Sequence, residues 1–203
     1  KSKSSRVKRK NFIKIKKNKP LYRYFLEKVL KCNFDQVFVD TDSIEIINFC
    51  KKKKINFIKR KKYLAKDNAN GNDLLNYHAK VIQSDLYFQL FITAPLLSVK
   101  TINECIYLLK TKKKIDSIFT CHKIFSWFWF KNKPVNYKPN VLPRSQDAKP
   151  IIMETTGLYG IRKKTLKKYK CRIGKKPYFF EVSKKESLDL DTKEDFKILK
   201  TYL

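Results

Sequence analysis

The apolar residues of this chain follow two alternating rhythms. Leu21, Tyr24, Phe25, Leu26, Val29 and Leu30 recur at the three- and four-residue spacing of an amphipathic helix, with Pro20 where a first-turn proline belongs. Val37-Phe38-Val39 then reads as a short buried strand. Asp42 or Ser43 is placed to cap a helix over 44–52, and 55–58 reads as a second strand. Asn70-Gly71-Asn72 precedes a helix over 73–83. The most apolar strand spans 87–93, ends at Pro95 and is expected at the centre of the sheet. Thr101-x-x-Glu104 has the form of a capping box for a helix over 102–112. A strand over 118–120 follows, and 125–130 with 135–137 reads as a hairpin turning through Lys131-Asn132-Lys133-Pro134. The remaining elements are a strand over 157–161, a helix over 163–169, a strand over 178–182 and a helix over 193–202. Alternation of strand and helix predicts an α/β fold with a mostly parallel sheet and helices on both faces. One domain spans 1–203, and the stretch 121–150 breaks the alternation as an excursion or association element.

Composition narrows the class. With 203 residues and 42% hydrophobic content the chain is large and apolar enough for a real core. The net charge of +30 suggests a polyanionic partner, and the aromatic residues could stack on bases. Against a nucleic-acid reading, the lysines recur in nearly every helix and loop instead of forming one stripe. Abundant Lys, Asn, Ile, Tyr and Phe beside scarce Ala, Gly and Arg is the codon signature of an AT-rich genome, so no specific nucleic-acid partner is expected. Five cysteines without a C-x-x-C pair point to reduced thiols inside a cell, hence a cytoplasmic protein without a disulfide framework or zinc site. The longest apolar run, 86–99, is interrupted by Gln89, Thr93 and Pro95 and is too short to span a membrane.

Chemistry concentrates near the end of the chain. In Ser187-Leu188-Asp189-Leu190-Asp191 the leucines and aspartates alternate. On a strand, Asp189 and Asp191 would share one face with Cα atoms roughly 6.5–7 Å apart. Two such carboxylates can hold a hard divalent cation. The competing reading is that Asp191 or Thr192 caps the helix 193–202 and Asp189 is solvated.

Several stretches, in order, resemble the acylneuraminate (CMP-sialic acid) cytidylyltransferases and, slightly further off, the CMP-Kdo synthetases. The basic start from Lys1 to Lys10-Asn11 is similar to that family's phosphate loop, and Lys19-Pro20-Leu21 to its "GKPL". Val39-Asp40-Thr41-Asp42 resembles "VSTD", and Arg60 with the stretch 64–70 resembles "RP-x-x-LA-x-D-x-A-S". Thr93-Ala94-Pro95-Leu96, Arg144-Ser145-Gln146-Asp147 and Gly157-Leu158-Tyr159 resemble "TSPL", "R-x-Q-D" and "NGAIY". The stretch 187–196 is similar to "S-I-D-I-D-T-E-E-D-F". The chain departs from the pattern in lacking a glycine in the phosphate loop and in having Phe91 at the family's Gln position, with Gln89 two residues earlier on the same strand face. The family's hydrophobic first strand is also absent, which leads us to expect a fragment of a longer protein.

The resemblance implies a Rossmann-like nucleotide-diphospho-sugar transferase fold. It implies an enzyme that activates a sialic-acid-like ulosonic acid by transferring CMP from CTP and releasing pyrophosphate; Kdo or another sugar on the same fold is the alternative. It places Lys1, Ser4, Lys10, Asn11, Arg60 and Asn70 at the nucleotide. Gln89, Arg144, Gln146 and Tyr159 would meet the sugar, Arg144 pairing bidentately with its carboxylate. Asp189, Asp191 and Lys10 would be catalytic, the two aspartates holding Mg²⁺. The aromatic run Ser126-Trp127-Phe128-Trp129-Phe130 would form a homodimer interface.

Overall fold

The structure, a computed structural model, describes residues 7–203, so Lys1 and Ser4 lie outside the described residues. Helix α1 (Leu21–Val29) buries Leu21, Tyr22, Phe25, Leu26 and Val29, most of the stripe that the spacing predicts. Strands β1 (Phe38–Thr41) and β2 (Asn56–Lys59) pair in parallel and are joined through α2 (Ile44–Lys52). Ser43 caps α2, its hydroxyl accepting from the Ile46 amide. Helix α3 (Gly71–Val81) starts at a reciprocal capping box between Asn70 and Asp73. Strand β3 is Leu86–Leu90 and α4 is Val99–Thr111. The N-cap of α4 is Ser98 and not Thr101. The Thr101 amide donates to Ser98 Oγ, while the Thr101 hydroxyl goes to Glu186 Oε1 at 2.7 Å, so the predicted box at 101–104 does not form.

Strand β4 (Ser117–Ile124) leads into the excursion, whose hairpin pairs β5 (Trp129–Phe130) with β6 (Lys133–Pro134). Lys131 and Asn132 turn the hairpin with φ of 49° and 60°. Two consecutive positive φ values suit the type I′ turn that matches strand twist. Strand β7 (Ile151–Arg162), α5 (Lys163–Tyr169), β8 (Pro177–Glu181) and α6 (Lys193–Tyr202) complete the order.

The main sheet has the order β3-β7-β4-β8. β8 runs parallel to β4, but β7 is antiparallel to both β3 and β4. The excursion returns the chain to the end of the sheet where β4 left it, so β7 must run backwards. The fold is therefore α/β and Rossmann-like with one reversed inner strand. Ile118 and Leu158 pack one sheet face onto Ile102, Cys105 and Leu109 of α4. Tyr87 and Ile161 pack the other onto Leu75 of α3 and Leu166 of α5. Truncating such fully buried aliphatic side chains typically costs about 2–5 kcal/mol.

β3 is not central in this ladder: it pairs with β7 alone. Its other edge faces a cavity of about 1220 Å³ that β1 and α1 line from the far side. That exceeds the ~300–1,000 Å³ usual for a small-molecule pocket because two strand edges open onto it. Among the described residues, no helix is long and apolar enough to cross a membrane.

Candidate active site

The N-terminal loop and the C-terminal aspartates meet. Val7 packs into a cluster with Leu21, Leu190, Phe196 and Leu199, which seats the loop on α6. The short 3-10 turn Lys10–Phe12 then carries Lys10 onto the aspartate motif. Lys10 Nζ donates to the Leu190 carbonyl at 2.6 Å and to Asp191 Oδ1 at 3.0 Å. An ammonium has three donors, so one N–H is left over after the contacts to described residues.

The stretch 187–191 is not part of a β-ladder, contrary to the strand expected from its alternation. The alternation nevertheless holds: Leu190 is fully buried and its amide donates to the Thr93 carbonyl. Asp189 Oδ2 accepts from Thr156 Oγ1 at 2.8 Å, while Asp189 Oδ1 is buried without a hydrogen-bond partner among the described residues. Thr156 has φ 53°, a region that a β-branched residue adopts only under strain. It lies in β7 where the register with β4 shifts between Phe119 and Cys121. Thr155 and Leu158 satisfy this irregularity through the Thr120 hydroxyl, at 2.8 Å and 3.2 Å. The strained bulge aims Thr156 at Asp189. The helix-capping reading is also realised, but by Thr192 with Asp195, not by Asp191.

A second polar group forms at the end of β1. Asp40 Oδ1 accepts from Arg60 Nε at 3.0 Å, and the Arg60 guanidinium also reaches the Asp40 carbonyl at 3.2 Å. Asp40 Oδ2 lies 2.8 Å from His78 Nε2. An ionised carboxylate can only accept, so Nε2 carries the proton. Burial would raise the Asp40 carboxyl, but the His78 hydrogen bond and the Arg60 charge outweigh it and hold it below its ordinary value. Asn11, Asp40, Arg60, His78 and Gln89 line the same cavity.

A third group spans the sheet face. Gln89 and Tyr159 are register partners on β3 and β7. Gln89 Nε2 donates to the Gly71 carbonyl at 3.0 Å, and Gln89 Oε1 is buried without a partner among the described residues. Asn70 Oδ1 accepts from the Asn72 and Asp73 amides, so the cap holds that oxygen. The Tyr159 hydroxyl donates to Glu154 Oε2 at 2.6 Å. Burial first, then that contact, push the Tyr159 hydroxyl well above its ordinary pKa; Arg172 acts in the opposite direction and Asp189 in the same one.

Two sequence-predicted residues stand apart. Arg144 and Gln146 are exposed in the excursion, and Arg144 Nε pairs with Asp147 Oδ2 at 2.6 Å. A local ion pair three residues apart is thus the contact that the exposed guanidinium makes. Sequence reasoning missed Asp40, His78, Thr156 and Arg172. A charged residue inside the apolar β1 stretch was the available signal for Asp40. Nothing local marked the others.

Comparison with known proteins defines the class. The cytidylyltransferase family profile matches residues 1–202, and the chain belongs to that family. It is 27% identical over 207 residues to the Helicobacter pylori protein named pseudaminic acid cytidylyltransferase and UDP-2,4-diacetamido-2,4,6-trideoxy-beta-L-altropyranose hydrolase. That match takes in 97% of this chain but only 40% of that relative's length. The fold is similar to that of a CMP:2-keto-3-deoxy-manno-octonic acid synthetase solved with CTP, with a TM-score of 0.73 at 16% identity over 98% of this chain and 93% of the other. It is also similar to the 2-C-methyl-D-erythritol 4-phosphate cytidylyltransferase of Francisella tularensis, with a TM-score of 0.69 at 17% identity over 96% and 93%.

Proposed function

We propose that this chain transfers CMP from CTP to a sugar acid of the ulosonic class, such as pseudaminic acid, a sialic acid or Kdo, releasing pyrophosphate. The observation that carries this reading is the meeting of Lys10 with Asp191 beside Asp189, from opposite ends of the chain. In the reaction the anomeric hydroxyl of the acid attacks the α-phosphorus. A new P–O bond forms as the bond to the β-phosphate breaks and pyrophosphate leaves, and the hydroxyl's proton passes to an aspartate carboxylate of the site or to solvent. Such transfers need charge neutralisation and alignment more than covalent help.

Lys10 offers its remaining N–H to a phosphate oxygen while its other contacts fix Asp191. Arg60, held rigid by Asp40, faces the nucleotide together with Asn11 and the side-chain amide of Asn70. The orphaned Oδ1 of Asp189, with the Asp191 carboxylate, suits a magnesium ion completed by phosphate oxygens and water. When bound, that ion would neutralise charge building on the phosphate oxygens. Among the described residues no three His, Cys, Asp or Glu side chains converge to hold a metal alone, so the substrate's phosphates would have to supply further ligands.

The excursion supports assembly as a homodimer. Phe125, Trp127, Trp129, Phe130, Val135, Val141 and Leu142 all leave it exposed. So many exposed apolar side chains on one segment suit a partner surface more readily than a solvated one.

The test is pyrophosphate release with each of four nucleoside triphosphates against N-acetylneuraminate, pseudaminate and Kdo. Release with CTP and at least one acid is expected. Release with CTP and none of the acids, or with another nucleotide only, contradicts the reading.

A further inference from the structure

Six arginines are described, and the guanidinium groups of five donate to an oxygen of a described residue. Arg9, Arg23, Arg60 and Arg144 pair with carboxylates, and Arg162 donates to backbone carbonyls. Arg172 is the exception among the described arginines. Its guanidinium lies 3.5 Å from the Tyr159 ring centroid and 5.7 Å from that of Phe91. Its backbone amide is tied to Asn72 Oδ1 at 2.8 Å, which pins this segment to the start of α3. A guanidinium stacked on aromatic faces keeps its in-plane donors open for a planar anion.

Beside it is a second unfilled group. Gln89 is only 8% exposed, yet its Oε1 has no partner among the described residues. Both groups converge on Gly71, where a Cβ would come 2.5 Å from Arg172 Nη1 and 3.2 Å from Gln89 Oε1, so the guanidinium packs directly against the glycine. A ligand that meets both groups should carry an anion for the guanidinium and a hydroxyl or amide N–H for the orphaned oxygen. A sugar acid carries both. The triphosphate has its own cations at Lys10 and Arg60, so the carboxylate falls to Arg172.

Resting on the functional reading above, we propose that Arg172, with Gln89 Oε1, binds the carboxylate end of the sugar acid, a role that the sequence suggested for Arg144. Gly71 would be required because any side chain there displaces the guanidinium.

The experiment measures the KM of the best of the three acids, its turnover, and the dissociation constant of CTP, for wild type, Arg172→Met, Arg172→Lys and Gly71→Ala. Arg172→Met should raise the acid KM by roughly thirtyfold or more, the loss typical of truncating one partner of a buried charge pair. CTP affinity should stay within about twofold of wild type, well inside one tenfold step of 1.4 kcal/mol, which also serves as the control for folding. Arg172→Lys should recover part of the loss. Gly71→Ala keeps every charge and should raise the acid KM all the same. The methyl ester of the acid should be bound alike by wild type and Arg172→Met. An unchanged acid KM in Arg172→Met, or a loss confined to CTP, overturns the proposal and leaves the functional reading intact. No turnover by wild type with any of the acids overturns both.

Discussion

Arg60 and Arg144 are two arginines in two family-like motifs, and they have opposite fates. The Arg60–Asp40 pair is 12% and 9% exposed, with His78 closing the other side of the carboxylate. The Arg144–Asp147 pair is 75% and 49% exposed and spans only three residues of the excursion. One is built from β1, the start of the loop after β2, and α3; the other is local. The difference shows where this chain has committed polar groups to fixed geometry. Partners distant in sequence and shielded from water are held at the sheet end, whereas the excursion keeps its charges in solvent and its aromatic side chains uncovered.

Breaking the buried pair should have the largest effect. Asp40→Ala leaves Arg60 and His78 without their shared anion and should destabilise the fold by about 3–5 kcal/mol, read as a drop in the urea midpoint. The pH dependence has a definite sign. Asp40 has a depressed carboxyl in the fold, so its contribution is fully present above the unfolded value of about 3.9 and is lost as pH falls through the lower folded value. Acidification below about pH 4 should therefore shrink the gap between wild type and Asp40→Ala. A gap that is constant from neutral pH down through that window would mean that Asp40 is not charged and paired as described.

The excursion should respond in assembly instead of stability. On the proposed homodimer, Trp129→Ser with Phe130→Ser removes two exposed aromatics and should shift the particle towards monomer in sedimentation, with the melting temperature of the protomer nearly unchanged. A variant that stays dimeric removes this hairpin from the interface. The smallest effect is expected at the exposed pair: Arg144→Ala should change stability by no more than about 1 kcal/mol. A larger loss in the urea midpoint would show that the excursion buries this arginine in the assembled protein.

The same contrast separates what the sequence could reveal from what it could not. Helices α2, α5 and α6 lie where periodicity places them, because their apolar stripes and flanking polar residues act locally. The reversal of β7 was hidden, since strand direction depends on where the excursion returns the chain. The edge position of β3 was hidden for a related reason: an apolar run records burial and not which neighbours supply the ladder. In the site, the two aspartates were visible through the Leu–Asp alternation, although no ladder forms there. Thr156 was invisible because its role comes from a strained φ at a bulge. Arg172 was invisible because charge alone does not separate it from the many cations around it; stacking on Tyr159 does.

The central claim is that Lys10, Asp189 and Asp191 form the reaction centre. Its most direct test is the rate of pyrophosphate release by wild type and Asp189→Asn over a rising Mg²⁺ series at fixed CTP and sugar acid. Asp189→Asn should fold normally and lose about a hundredfold or more in turnover, the scale of removing one preorganised charge-stabilising group, with the deficit greatest at limiting Mg²⁺. Wild-type release by Asp189→Asn at limiting Mg²⁺ would contradict the assignment.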